Sequence, residues 1–364
     1  MRPTTLEIDL DAAAHNGRAV RQIAGPHRKI FAVVKADAYG YGAAELGAVI
    51  PRWRSLIPSP RSATASASAP CATKTAPEAI AHGLIPTLID LDGARAHAEA
   101  ATAPLDVFVK VDVGLERLGV PAEQAVKTIV AMLEMPHLRL AGICAHPHAH
   151  STDPAYADWQ LGRFTAVVDE LESRGTRVPV RLFAASPFVL RAPQTYLNAV
   201  DPGRILYGIT FPGETSPVPL RPTLRALASR VIALKELTPR ECFAELAPFP
   251  VTGPMRLGVI PVGLADGMAW LHAGRVLVRG QAAPLVTGPN LEHTRIDLTG
   301  VPDARVGDEV VIIGRQGEAE ITVAEVAKRH GLGLHHVATT VGPRVTRVYL
   351  SGGAALTRTT EESP

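Results

Sequence analysis

The sequence predicts an α/β fold, in which a (β/α) barrel is followed by a mainly β C-terminal domain. From about residue 11 to 225, short apolar runs alternate with amphipathic stretches rich in Ala, Glu and Arg. That alternation is typical of a parallel sheet flanked by helices. From about residue 226 to 355, strand-sized runs are separated by Gly, Pro and Asp turns, as in a β domain. The strand at 5–10 is assigned to this second domain.

The elements follow from apolar runs and their punctuation. The predicted barrel strands are Ile30–Val34, Leu84–Ile89, Leu105–Val111, Leu138–Ala145, Val178–Phe183 and Arg204–Thr210. Helices are predicted at Gln124–Leu133 and Tyr156–Arg174. The predicted strands of the β domain are Ala228–Leu234, Leu257–Pro261, Arg275–Leu277, Arg295–Leu298, Glu309–Ile313 and Arg344–Tyr349. Residues 356–364 are expected to form a disordered tail.

One segment fits neither domain. Residues 51–76 are crowded with Pro, Ser, Ala, Thr and Arg and have no usable periodicity. A disordered insertion and a locally scrambled reading frame both produce such a low-complexity stretch, and the residues do not choose between them.

Composition excludes several classes of function. Apolar residues make up 46% of the chain, so a globular core is expected. A formal charge of +2 and 5% aromatic residues argue against nucleic acid and membranes as partners. The three cysteines, Cys71, Cys144 and Cys242, are odd in number and far apart, and the N-terminus carries no apolar signal core. We therefore expect a cytoplasmic protein.

The most informative segment is Phe31–Gly42, in which a buried strand ends in Lys35 and continues into a glycine-rich turn. Partial desolvation at such a strand end favours the neutral amine, which can form a Schiff base with an aldehyde. The whole segment resembles the lysine motif of the alanine racemase family, with Tyr41 in place of the usual His. Five further segments resemble that family in the same order: Leu6–Leu10, Val109–Val120, Ile260–Gly267, Val306–Val310 and Arg344–Tyr349.

The resemblance identifies a divergent member of the alanine racemase family, a group of pyridoxal 5'-phosphate enzymes of fold type III. It implies a (β/α)8 TIM-type barrel, a β domain, a small amino-acid substrate and a homodimer with shared active sites. It also implies that Lys35 is the cofactor lysine and one of the catalytic bases. No metal is expected.

The cofactor needs a lysine, a phosphate cradle and partners for its phenolic oxygen and ring nitrogen. Tyr39 matches the family tyrosine that donates to the phosphate. Ser186 and the backbone amides of Gly203 and Arg204 fall where the late strands of a barrel commonly bind phosphate. Arg117 matches the arginine that contacts the phenolic oxygen and positions the substrate carboxylate.

His146 matches the family histidine beside the cofactor ring. His148 and His150 follow it at alternate positions, which raises a metal site as an alternative. Pro147 and the loop-like residues after His150 favour one active-site histidine and two solvated ones.

The chain departs from the family where the second base and the substrate entrance are expected. The family has a second catalytic tyrosine; an ungapped alignment puts Glu245 there, whose ordinary pKa is about 4.3 against about 10 for tyrosine. Leu264 replaces the next tyrosine, Leu291 lies in the substrate-binding Met-Asp pair, and His335 replaces the last phosphate-binding tyrosine. Leu291 and Glu292 stand in place of that Met-Asp pair, and His293, His335 and His336 are new polar candidates at this entrance.

Asp201 is the departure with the largest chemical consequence. It stands where the family has an arginine that faces the ring nitrogen, and Arg204 follows on the opposite face of the predicted strand. An aspartate there favours a protonated ring and a stronger electron sink.

Three functions therefore stay open. They are amino-acid racemisation with Glu245 as a second base, a decarboxylation, β-elimination or aldol-type reaction on the same scaffold, and a low-activity cofactor-binding homologue. Fold-level resemblance by itself does not choose among them.

Overall fold

A parallel sheet forms the first half of the protein. The computed structural model describes residues 3–49, 76–148 and 154–359. After β1 (Thr5–Asp9), which belongs to the second half, the barrel strands are β2 (Lys29–Ile30), β3 (Thr87–Leu88), β4 (Leu105–Asp112), β5 (Val120–Pro121), β6 (Leu138–Ala145), β7 (Arg181–Ala185) and β8 (Ala199–Asp201). Their order is β2-β8-β7-β6-β4-β3, with β5 beside β4, and every pair is parallel.

Helices separate these strands and cover the sheet. They are α1 (Leu10–Ala24), α2 (Lys35–Gly40), α3 (Ala43–Val49), α4 (Ala76–Ala81), α5 (Leu91–Ala100), α6 (Ala122–Leu133), α7 (Pro154–Ser173) and α8 (Ser186–Arg191). Asp9 caps α1 by accepting the amide of Ala12 at 2.9 Å, and Asp90 caps α5 through Gly93 at 2.6 Å. Such caps satisfy backbone amides that have no partner inside the helix.

The second half is mainly β and begins with β9. Its elements are β9 (Leu224–Arg230), β10 (Ala233–Leu237), β11 (Met255–Ile260), β12 (Arg275–Val278), β13 (Gln281–Pro284), β14 (Thr294–Asp297), β15 (Glu309–Gln316), β16 (Ala319–Ile321), α9 (Val323–His330), α10 (Leu334–Thr339), β17 (Thr346–Ser351) and β18 (Ala354–Thr359). One sheet has the order β13-β12-β15-β9-β1-β17-β18, with β16 beside β15, and the other has the order β10-β11-β14. The predicted fold class, a TIM-type barrel with a mainly β domain, is confirmed.

The structure differs from the predicted elements at four points. Arg204–Thr210 is not a strand: the strand is β8, and Arg204–Tyr207 forms a 3-10 turn. The barrel strand at Ile30–Val34 ends at Ile30, and the run Ala228–Leu234 is divided between β9 and β10. Residues 356–359, expected in a disordered tail, belong to β18. Residues 51–75 and 360–364 lie outside the described residues.

Two apolar clusters make up most of the core. One lies between the barrel sheet and its helices and includes Val109, Ile143 and Phe183. The other fills the β domain and reaches the barrel through Ala38 and Tyr41. In the described ranges, every helix is too short or too polar to cross a membrane.

Candidate active site

A cavity of about 450 Å³ lies at the carboxyl ends of the barrel strands. Parallel strands bring the residues that follow them to one edge of the sheet, which is where barrel sites form. The cavity brings together all nine predicted cofactor-binding residues: Lys35, Tyr39, Arg117, His146, Ser186, Asp201, Gly203, Arg204 and His335. His335 reaches it from α10 of the β domain, since the backbone of Ala338 packs on Gly40 of α2.

Lys35 follows a segment that runs beside β8 beyond the end of β2. The amides of Phe31 and Val33 donate to the carbonyls of Val200 and Pro202 at 2.8 and 3.0 Å. Burial lowers the pKa of the Lys35 amine, and the charges of Arg117 and Lys110 lower it further, while Asp201 opposes them. The site therefore favours the neutral, nucleophilic amine.

The helical turn after Lys35 is left-handed. Ala36, Asp37, Ala38 and Tyr39 have φ between 51° and 61°. An L-residue pays about 1–2 kcal/mol for this conformation, so the surrounding contacts must hold it. Ala38 is fully buried, and the Asp37 carboxylate accepts the amide of Ala43 at 2.7 Å. The sequence indicates a turn here but carries no sign of its hand.

A small cradle lies where Tyr39 meets the ends of β7 and β8. The Gly203 amide donates to the hydroxyl oxygen of Ser186 at 2.8 Å, and both residues are buried. A Cβ at Gly203 would lie 2.7 Å from the Tyr39 hydroxyl oxygen, so only glycine leaves room there. Burial raises the pKa of Tyr39, and Asp201 raises it further, so the hydroxyl keeps its proton. Because the Gly203 amide already donates to Ser186, the hydroxyl groups of Ser186 and Tyr39 are the donors that suit a phosphate group.

Arg117 is held by the carboxylate of Asp112 at the end of β4. The carboxylate accepts the amides of Gly114, Leu115 and Arg117 at 3.0 Å and that of Glu116 at 3.3 Å. Burial works to raise the pKa of Asp112, but these four donors outweigh it and the pKa is lowered. The Asp112 carboxylate thus holds the loop that carries Arg117, and the exposed Arg117 side chain lies at the mouth of the cavity.

His146 follows β6 directly. Burial lowers the pKa of its ring to about 4, helped by Lys110, Arg117 and Lys35, so the ring is neutral near pH 7. Among the described residues there is no group of three or more potential metal ligands, and His150, one of the three alternating histidines, lies outside them.

Arg204 faces the cavity but its charge is already paired. Its guanidinium forms an ion pair with Glu214, donates to the carbonyl of Ile209 at 2.8 Å and lies 4.3 Å from the centre of the Phe211 ring. Because the chain turns after β8, the predicted opposite-face position of Arg204 on a strand is wrong.

Two of the predicted site residues, Glu245 and Leu291, lie outside the cavity of their own chain. Glu245 is exposed in a short 3-10 turn, and Leu291 is 69% exposed in a loop of the β domain. Leu264, also exposed, lies beside Leu291, because the amides of Leu264 and Ala265 donate to the carbonyls of Asn290 and Leu291. Glu292, His293 and His336 are exposed as well.

Sequence reasoning missed five polar residues of the cavity: Thr87, Lys110, Cys144, Glu214 and His148, which was expected to be solvated but lines the cavity and is half-buried. A signal existed for Lys110, since it alternates with buried valines on β4 and so shares a face with Phe108 and Asp112. Glu214 had none, because its ion pair depends on the turn at Arg204.

These features define a class: a barrel enzyme in which a partly desolvated lysine, a cradle lined by hydroxyl groups and an arginine meet at one edge of the sheet. Comparison with known proteins agrees with that class. The family model of the alanine racemase N-terminal domain matches residues 8–56 and 58–211, and that of the C-terminal domain matches residues 224–349. The chain belongs to the alanine racemase family.

Individual relatives are similar over nearly their whole length. The alanine racemase of Desulfosudis oleivorans is 35% identical over 388 aligned residues, covering 97% of this chain and 98% of that protein. The alanine racemase of Syntrophobacter fumaroxidans is 32% identical and covers 94% and 96%. The crystal structure of alanine racemase from Bacillus anthracis with bound L-Ala-P has a TM-score of 0.89 at 23% identity, covering 99% and 98%, which bears on the fold alone.

The cavity fits pyridoxal phosphate on its own geometry. It offers a neutral-leaning amine at Lys35 and a cradle at Gly203 that a Cβ would fill. It also contains a carboxylate oxygen, Oδ1 of Asp201, that is shielded from solvent and has no hydrogen-bond partner among the described residues. An aldehyde, a phosphate and a ring nitrogen match these three features in turn.

Proposed function

We propose that the protein is a pyridoxal-phosphate-dependent alanine racemase that interconverts the L and D forms of alanine or a related small amino acid. The observation that carries the proposal is Lys35, whose pKa is lowered by burial and by Arg117 and Lys110 and whose amine shares the cavity with the Ser186–Gly203 cradle. Membership of the alanine racemase family supports it.

Each cavity residue has a defined task in this proposal. When bound, pyridoxal phosphate stabilises the negative charge that develops at the substrate α-carbon. Lys35 moves the proton on or off one side of that carbon. Arg117 holds the substrate carboxylate by a charge-assisted hydrogen bond. Ser186, Gly203 and Tyr39 hold the phosphate.

Racemisation needs a second base on the other side of the α-carbon, and we assign Glu245 to it as part of the proposal. Since Glu245 is exposed and outside the cavity of its own chain, it acts on the Lys35 site of a second copy. Apolar residues are exposed around it, Phe243 at 68% and Leu246 at 72%, and an interface between two copies accounts for them. The proposal therefore includes a homodimer with shared active sites.

The proposal also includes a cytoplasmic location. Cys144 and Cys242 are free thiols, which suits a reducing compartment.

The test is exchange of the α-hydrogen in D2O. Purified protein with pyridoxal phosphate is expected to exchange the α-hydrogen of L- and D-alanine and to racemise both. Borohydride reduction is expected to attach the cofactor to Lys35. Failure to exchange the α-hydrogen of any common amino acid refutes the proposal. Attachment to Lys35 without exchange leaves a cofactor-binding protein with little turnover.

Glu245→Gln tests the second base. This variant should still bind cofactor at Lys35 but lose racemisation. Mixing it with Lys35→Ala subunits should restore part of the activity, since each mixed dimer contains one complete site. Full activity in the Glu245→Gln variant excludes Glu245 as the base.

Asp201 favours one second candidate, a decarboxylation or side-chain cleavage at the same site. A carboxylate near the cofactor ring strengthens electron withdrawal, which also serves bonds other than Cα–H. Carbon dioxide or aldehyde formation from an amino-acid panel, without racemisation, would identify this reaction.

A further inference from the structure

Asp201 is a partly buried residue with one carboxylate oxygen that has no partner among the residues that the structure describes. It is the last residue of β8 and faces the cavity. Its Oδ1 atom is shielded from solvent and makes no hydrogen bond within the described residues. Buried polar atoms without a partner are rare, and each one destabilises the fold, more so when it is charged. The group calls for a ligand that donates a proton or a hydrogen bond.

The neighbours of Asp201 on both sides are the anchors of the proposed cofactor. β8 lies between β2 and β7 in the sheet. On one side the segment that ends in Lys35 is bonded to Val200 and Pro202, and on the other Ala185 pairs with Asp201 and precedes Ser186. A ring held at Lys35 and at the Ser186–Gly203 cradle therefore lies near the end of β8.

Burial and the nearby charges have opposite effects on the pKa of Asp201. Burial raises the pKa of Asp201 to about 7, against Lys110 on β4 and Lys35, which both lower it. Tyr39 and Cys144 also face it and are neutral, since burial raises the pKa of both. The carboxyl group can thus ionise near neutral pH when a cationic donor arrives.

We propose that Asp201 binds the ring nitrogen of the cofactor and holds it in the protonated, cationic form. The protonated nitrogen donates a hydrogen bond to the Asp201 carboxylate, and in this ion pair the nitrogen is the partner that Oδ1 otherwise lacks. This inference rests on the proposed function, because it requires pyridoxal phosphate in the cavity. It assigns Asp201 the control of how strongly the cofactor withdraws electrons from the substrate.

The direct test is the protonation state of the nitrogen, which does not depend on turnover. Holoenzyme loaded with ring-15N pyridoxal phosphate is expected to show a protonated-nitrogen chemical shift at pH 7. Asp201→Asn should shift it to the unprotonated position, and Asp201→Glu should restore it. Asp106→Asn is the matched control, because that carboxylate pairs with Arg139 on the exposed side of the barrel. An unprotonated nitrogen in the wild-type holoenzyme overturns the proposal even if no variant folds.

Cofactor affinity gives a second readout. A charge-assisted hydrogen bond corresponds to roughly a 10- to 100-fold change in dissociation constant. Wild-type protein should therefore bind pyridoxal phosphate about that much more tightly than its analogue with carbon in place of the ring nitrogen. Asp201→Asn should lose this preference, whereas equal preference in both proteins contradicts the proposal.

These outcomes separate the inference from the proposed function. If borohydride does not attach cofactor to Lys35, both fail. If Lys35 is labelled and α-hydrogen exchange occurs but the ring nitrogen is unprotonated, the racemase stands and the role of Asp201 falls.

Discussion

The loop that carries Arg117 depends on one carboxylate, so Asp112→Asn should loosen it with little change in volume. Oδ2 of Asp112 accepts the amide of Arg117, while Oδ1 accepts the amides of Gly114, Leu115 and Glu116. In asparagine one of the two oxygens is replaced by an NH2 group, which is itself a donor and cannot accept from the backbone amides. The remaining oxygen is neutral and accepts more weakly. Glu116, at φ 57°, then loses part of what holds its left-handed conformation.

The magnitude follows from these contacts. A hydrogen bond to a charged group contributes about 1.5–3 kcal/mol, and a neutral one about 0.5–1.5 kcal/mol. Added together, one lost bond and three weakened ones reach about 4–7 kcal/mol. Because Asp112 is only partly buried and the amides can bond to water instead, we expect the unfolding free energy to fall by about 2–3 kcal/mol. If Arg117 binds the substrate carboxylate, a loosened loop should raise the KM for alanine about tenfold, with a smaller fall in kcat.

The assay pairs steady-state racemisation with denaturant unfolding, and Asp106→Asn on the same strand is the control. The stabilisation by the Asp112 carboxylate should depend on pH, and the direction of its pKa shift decides how. Because the folded pKa of Asp112 is lowered below 3.8, its stabilisation is complete above about pH 4 and is lost as the pH falls through the folded pKa. Wild type and variant should therefore converge in stability at low pH. An unchanged KM together with an unchanged unfolding midpoint at pH 7 refutes the reasoning.

Three further substitutions test other parts of the site. Lys35→Met should raise the unfolding midpoint of the cofactor-free protein, most at low pH, because it removes a buried amine whose pKa is lowered and whose protonation opposes folding; an unchanged midpoint at pH 6 contradicts this. Gly203→Ala puts a Cβ 2.7 Å from the Tyr39 hydroxyl oxygen and should weaken cofactor binding at least tenfold by fluorescence titration, with about 1–3 kcal/mol lost in stability; unaltered affinity excludes the cradle. Tyr156→Phe removes a 2.7 Å hydrogen bond to the carbonyl of Gly114 and should cost about 0.5–1.5 kcal/mol and raise KM a few-fold without changing kcat; an equal fall in kcat speaks for a different role.

The fold class was predictable from the sequence because the alternating apolar runs mark the segments that are buried in the structure. The strand predicted at Arg204–Thr210 was misplaced for the same reason. Ile205, Leu206 and Tyr207 are fully buried, yet they belong to a 3-10 turn packed against the barrel. Burial alone does not distinguish a short strand from a buried turn.

The cavity residues were predictable from sequence motifs, and most of them follow a barrel strand, whereas His335 lies on α10. The left-handed turn at Ala36–Tyr39 was not predictable, because residues that form it, such as alanine, do not favour positive φ by themselves. Its conformation depends on packing against Ala338, which is about 300 residues away in sequence. Glu245 is a different case, since its proposed task needs a second copy of the chain.

The balance of charge in the cavity argues for anionic ligands independently of any motif. Lys35, Lys110 and Arg117 face the space together, while Asp201 has a raised pKa and His146 is neutral. Burial lowers the pKa of Lys35, and the charges of Arg117 and Lys110 lower it further, so an anion placed among these three cations is stabilised. Inorganic phosphate should therefore raise the melting temperature of the cofactor-free protein by mass action, at constant ionic strength set with chloride. Phosphate that stabilises no more than chloride would falsify this account of the site.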